Sequence, residues 1–155
     1  MKSTKAASRY ATALLEIAND QNQVDSILGD MQFLLSVNND ARDFELLIAS
    51  PIVTADKKIQ IFEMIFDQFE EASMAFIKLI TKNRRENILP EIAASFDEQV
   101  KEQRGIVPIT LVSAVPLDEN TKKTILAKVQ ASIEGQLEVE EIIDESLMGG
   151  FVVKM

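Results

Sequence analysis

Five carboxylates, Glu138, Glu140, Glu141, Asp144 and Glu145, crowd one short stretch near the end of the chain, and the pair Gly149-Gly150 follows soon after. An acidic run of this kind can hold a divalent cation, and adjacent glycines can let a backbone loop cradle a phosphate. Neither pattern is met. The carboxylates lack the one-in-two spacing around a central glycine that a calcium loop needs, and no Lys-Ser/Thr or helix start follows the glycines. They read instead as solvated charge and a backbone turn. The chain contains no cysteine and no histidine. Disulfides and thiolate chemistry are therefore absent, as are the commonest metal ligand and general base, which excludes zinc centres and Ser-His-Asp or Cys-His machinery in their usual forms. No cofactor is expected. The formal net charge is −9, with a pI near 4.6, so most of the surface repels polyanions, which argues against nucleic acid or an anionic membrane as the main ligand. Two basic clusters, Lys2, Lys5 and Arg9, then Lys78, Lys82, Arg84 and Arg85, read as solvated helix faces.

With 155 residues, 46% of them hydrophobic, the chain can form one ordinary domain or two small ones. No apolar run approaches the roughly 18 residues that span a bilayer, and the first twenty residues lack the uninterrupted apolar core of a signal peptide. The spacing predicts six helices. The first covers about Thr4 to Asn19 and the second about Gln23 to Val37. Asp40 is placed to cap a short third helix carrying Phe44, Leu47 and Ile48, and Ser50-Pro51 ends it. Thr54 caps a fourth with Ile59, Phe62, Phe66 and Phe69 on one stripe; the fifth covers about Ala72 to Asn83 and the sixth about Leu89 to Arg104.

Two of these helices carry more apolar surface than one core requires. On the first, Lys5, Ser8, Arg9, Thr12, Glu16 and Asn19 form a narrow polar strip, and the apolar remainder has two distinct edges, Ala7, Ala11, Leu15 and Ala18 on one and Ala6, Tyr10, Ala13 and Ile17 on the other. On the fifth, Met74, Ala75, Phe76, Ile77, Leu79 and Ile80 surround most of the cylinder. Either such a helix is buried on two sides within its own domain or one edge is kept for a partner.

At Gly105 the character changes. A β-branched strand, Ile106 to Val115, precedes a helix from about Glu119 to Glu134 that Asp118 caps and Gly135 closes. Leu137 to Lys154 then reads as two short strands joined through the glycine pair, in the simplest case an ordinary hairpin. The expected architecture is an α domain, a six-helix bundle over residues 1–104, followed by a small α+β domain of βαββ order over 105–155 whose helix covers one face of the sheet.

This order, with ASRYATALLEIA near the start, ITKNRRENILPEI in the middle and LEVEEIIDESLMGGFVVK near the end, resembles the delta subunit family of F-type ATP synthases, whose mitochondrial counterpart is the oligomycin-sensitivity-conferring protein. The likeness covers essentially the whole chain. It is most specific at the C-terminal signature, where Leu137, Val139, Ile143, Asp144, Leu147, Gly149, Gly150, Phe151, Val153 and Lys154 stand at the family spacing. The family pattern continues with another strand turn and a final helix, whereas this sequence stops at Met155, so the C-terminus is expected to be truncated. The resemblance implies a non-catalytic stator subunit on the cytoplasmic face of a bacterial membrane, joining the catalytic head to the b-subunit peripheral stalk. It also implies that the helical domain takes the N-terminal helix of an alpha subunit into a groove between its first and fifth helices, with Tyr10, Ala13 and Ile17 on one wall and Ile77, Ile80 and Thr81 on the other. An alternative is a helical adaptor for some other amphipathic helix.

Overall fold

Threonine and aspartate hydroxyls and carboxylates start the helices where the sequence places them. In the computed structural model, which describes residues 3–155, Thr4 Oγ1 accepts from the Ala7 amide at 3.2 Å and opens α1 (Lys5–Asp20). Lys2, counted above in the N-terminal basic cluster, lies outside the described residues. Thr54 Oγ1 likewise accepts from the Lys57 amide at 3.3 Å and opens α4 (Ala55–Ile65). Between them lie α2 (Val24–Asp40) and α3 (Arg42–Ala49). Asp40 is the last residue of α2 and caps nothing: Ala41 is both the end of α2 and the start of α3, with no side-chain cap, so the kink between the helices is made by one extended residue. Then follow α5 (Glu71–Lys82), a 3-10 turn (Glu86–Ile88) and α6 (Leu89–Gln103), whose first turn accommodates Pro90 without losing a helical hydrogen bond.

The chain divides into two compact units, one ending at Val100 and one running from Lys101 to Met155. The helical unit is held by a core of Leu14, Ile27, Met31, Leu34, Phe62, Ile77, Ile80, Ile92 and Phe96 with the alanines of α1. Its least expected member is Lys58, 1% exposed on α4. The Lys58 ammonium meets Glu86 Oε1 at 2.5 Å and the Ser50 carbonyl at 2.7 Å. One buried pair thus ties α4, the end of α3 and the 3-10 turn together. Glu86 Oε2, also buried, has no partner.

The second unit is built on β1 (Ile106–Ser113), α7 (Glu119–Ser132), β2 (Gln136–Ile143) and β3 (Phe151–Lys154). Asp118 Oδ1 caps α7 by accepting from the Thr121 amide at 2.7 Å. The sheet order is β2-β1-β3: β1 pairs in parallel with β2, Ile109 opposite Val139, and antiparallel with β3, Val112 opposite Val152. The two last strands therefore do not form the hairpin expected through Gly149-Gly150. The turn after β2 carries the chain across the end of β1, where the Asp144 amide donates to the Ser113 carbonyl at 2.8 Å, and β3 lands on the far edge. Seven helices and a three-stranded sheet among the described residues make a helical N-terminal region and a small α/β C-terminal part.

Candidate partner-binding groove

The first edge of α1 is covered by its own chain. Ala7, Ala11, Leu14 and Ala18 are fully buried, and α6 closes over the neighbouring flank, where the Gln99 side-chain amide donates to the Ser8 carbonyl at 3.1 Å and Thr12 Oγ1 donates to Gln99 Oε1 at 3.1 Å. The buried row is mostly alanine, so α1 sits close to its neighbours. Its second edge stays open: Tyr10 is half-buried, Ala13 is exposed and Ile17 is 39% exposed.

On α5 the structure assigns the faces differently from the sequence expectation. Ile77, Ile80 and Thr81 are all fully buried in the core of the helical unit, and the Thr81 hydroxyl is spent on the Ile77 carbonyl at 2.8 Å. They cannot form a wall of a surface groove in this state, because the inward arc of α5 is centred on them. At 100° per residue the arc next to Phe76, on the side away from Ile77, carries Ala72, Ala75 and Leu79. Ala75 is exposed and Leu79 is 53% exposed. Both residues were visible among the apolar positions of the sequence, but periodicity alone does not say which side of an almost wholly apolar helix faces in.

One contact fixes how the open edges meet. The Tyr10 ring lies 6.4 Å from that of Phe76 at an interplanar angle of 75°, an edge-to-face pair, and the Arg85 guanidinium stands 6.0 Å from the Tyr10 centroid. Tyr10 and Phe76 thus mark a seam where α1 meets α5; by helical spacing Ala13 and Ile17 lie beyond Tyr10 on α1, and Ala75 and Leu79 lie beyond Phe76 on α5. Alanines on both walls let a backbone approach closely, and Ile17 and Leu79 offer anchors for an apolar stripe. The middle basic cluster is dispersed: Lys78 pairs with Glu63 on α4 at 2.8 Å, Arg84 turns the chain at φ 59°, and Arg85 covers Tyr10.

Three of the five carboxylates of the acidic run are likewise spent on structure. Glu138 pairs with Lys101 at 3.0 Å and Glu141 with Lys122 at 2.8 Å. Asp144 Oδ1 accepts from the Ser146 hydroxyl at 2.6 Å and the Ser146 amide at 3.0 Å, forming the turn that leads toward β3. These hydrogen bonds, the hydroxyl first, hold the Asp144 carboxyl below its ordinary value, with Lys154 adding to the effect. Among the described residues no three acidic side chains converge on a metal-sized site, and no helix is long and apolar enough to cross a membrane.

Comparison with known proteins covers both units. The family model described as ATP synthase delta (OSCP) subunit matches residues 6–155. An ATP synthase subunit delta from Cytophaga hutchinsonii is 33% identical over all of this chain and 85% of its own length. One from Chlorobaculum parvum is 32% identical over all of this chain and 86% of its own, and one from Carboxydothermus hydrogenoformans is 31% identical over all of it and 88% of its own. Among solved structures, a chain of the Toxoplasma gondii mitochondrial ATP synthase hexamer superposes with a TM-score of 0.75 at 25% identity, covering 96% of this chain and 85% of that one.

Proposed function

Since the chain belongs to the ATP synthase delta (OSCP) family, and is accordingly a peripheral-stalk subunit of an F-type ATP synthase, structural and not catalytic, we propose that its α1–α5 seam seats the N-terminal helix of an alpha subunit. On this reading the helical unit, which ends at Val100, acts as one six-helix bundle on the catalytic head, at the cytoplasmic face of a bacterial membrane. The unit from Lys101 onward reaches the b subunits of the stalk, and the head is kept from turning with the rotor.

The observation that supports it is the uncovered apolar surface on both sides of the Tyr10–Phe76 contact. Ile17 and Leu79 are the large exposed members, and Ala13 and Ala75 give close approach. An amphipathic helix laid on this seam covers what the fold itself leaves wet. A stator must outlast many catalytic cycles, which asks for a dissociation constant of about nanomolar, roughly 12 kcal/mol. A few buried anchors within an interface of about 800 Å² per partner supply that.

The test is calorimetric titration of the chain with a synthetic peptide of the alpha N-terminal segment from the same organism. Leu79→Asp or Ile17→Asp is expected to weaken binding by about a hundredfold, since each places a carboxylate under an apolar stripe. Both positions are exposed in the free chain, so the fold should survive, as circular dichroism would report. Unchanged affinity in both variants would remove the seam as the binding site.

A further inference from the structure

We propose that a second docking site lies on the helical unit, between α2 and the turn joining α4 to α5, and that it takes an arginine side chain presented by a partner protein. A cavity of about 390 Å³ opens there, lined by Asp30 and Phe33 of α2 and by Ile65, Phe66, Asp67, Gln68 and Phe69. That volume lies in the range of sites that hold small ligands or single anchoring side chains.

The site is built rather than incidental. Phe33 is 48% exposed, unusual for a phenylalanine in the middle of a helix that otherwise turns its large apolar groups inward. Its ring meets Phe66 at 6.1 Å and Phe69 at 6.0 Å, both nearly at right angles, while Phe66 and Phe69 stack at 4.4 Å. Phe66 is itself buried, so the trio is anchored in the core and holds the outer ring in place. Asp30, one turn before Phe33, is pinned as well: its Oδ2 accepts from the Glu70 amide at 2.9 Å, which fastens the turn to α2.

The lining then selects its occupant by charge. It contains two carboxylates, Asp30 and Asp67, and no basic residue, in a chain whose net charge is −9. A purely apolar anchor would cover Phe33 and Phe69 but would strip water from the carboxylates without replacing its hydrogen bonds. An arginine satisfies both halves of the site. Its methylenes and planar guanidinium lie against an aromatic face, and its N–H groups point at the rim carboxylates. Lysine is a poorer match because its compact ammonium stays strongly hydrated and does not stack. The site lies outside the α1–α5 seam and does not depend on what fills that seam.

The experiment is a titration of the isotope-labelled full chain, followed by amide shifts, with the capped tripeptide Ac-Gly-Arg-Gly-NH2 and its citrulline analogue, which has the same shape without the charge. Saturable shifts confined to Asp30, Phe33, Asp67 and Phe69 are expected for the arginine peptide, with the citrulline peptide about fivefold weaker. Asp67→Asn, an exposed change that leaves the fold intact, should weaken the arginine peptide about fivefold as well, and Phe33→Ala should do the same. Leu79→Asp should leave it unchanged. Equal binding of both peptides, insensitivity to Asp67→Asn, shifts centred elsewhere, or no saturable shift would each overturn the proposal.

Discussion

Removing the Lys58 ammonium should be among the most damaging single changes available in the helical unit. In Lys58→Met the side-chain length is kept, but Glu86 is left as a buried carboxylate whose Oε1 has lost Lys58 and whose Oε2 had no partner to begin with. Breaking one side of a buried pair costs about 3–5 kcal/mol, because the surviving charge keeps its desolvation penalty and loses its compensation. At a slope of about 2 kcal/mol per molar urea, that lowers the midpoint of the helical unit by roughly 2 M. The Ser50 carbonyl would also lose its donor, which loosens the link between α3 and α4. The double variant Lys58→Met/Glu86→Leu removes both charges and replaces them with apolar groups of similar size, and should recover to within about 1 kcal/mol of the parent. The assay is urea unfolding followed by far-ultraviolet circular dichroism on parent, single and double variants. A single variant within 1 kcal/mol of the parent, or a double variant no better than the single, would show that the pair is not the tie described here.

Other consequences lie in the second unit and at the helix caps. Gly135 stands at φ 114°, and an added Cβ would fall 2.3 Å from the Gly105 carbonyl oxygen, which itself accepts from the Gln136 amide at 2.9 Å. Gly135→Ala should therefore destabilise the sheet unit by roughly 2–4 kcal/mol, read as a lowered thermal midpoint of its transition. Thr54→Ala, which deletes the α4 cap, should cost about 1 kcal/mol in urea unfolding, and Thr54→Ser should restore most of it. Hydrogen bonds from Thr121 hold the Asp118 carboxyl below its ordinary value of 3.8. A lowered folded value means that the contribution is present in full above the ordinary value and is lost as pH falls through the lowered one. The protection of amides in the first turn of α7, measured as exchange relative to the intrinsic rate at each pH, should thus fall on acidification in the parent and stay flat in Asp118→Asn, which keeps a capping oxygen that does not titrate. Lys122, raised by its hydrogen bond to Glu141, behaves in the opposite sense: its contribution is complete below 10.5 and fades as pH climbs past the raised value.

Much of the fold could be read from local signals, and the misses share a cause. Thr4, Thr54, Pro90 and Asp118 act where short-range chemistry puts them, since a cap or a proline depends on only a few neighbouring residues. Asp40 misled because capping type and helix end look alike when two helices abut through one residue. Lys58 was invisible: its burial depends on Glu86, twenty-eight positions away, and on a carbonyl at the end of another helix. The same limit governed α5. Its excess apolar surface was evident, but Ile77, Ile80 and Thr81 could be separated from Ala75 and Leu79 only by knowing where α1 and α4 lie. The strand pairing failed for a related reason, because two strands flanking a glycine pair carry no record of which third strand lies between them.

The sheet order also sets a schedule for synthesis. The central strand, rich in isoleucine, valine and leucine, leaves the ribosome before either of its neighbours, and both of its edges stay bare until much later residues arrive. The intervening helix can form on its own and wait, but ladder pairing on the second edge is complete only when Phe151 to Lys154 have cleared the exit tunnel. A nascent chain whose emerged part ends between Ile143 and Phe151 would therefore carry one sticky, half-zipped strand.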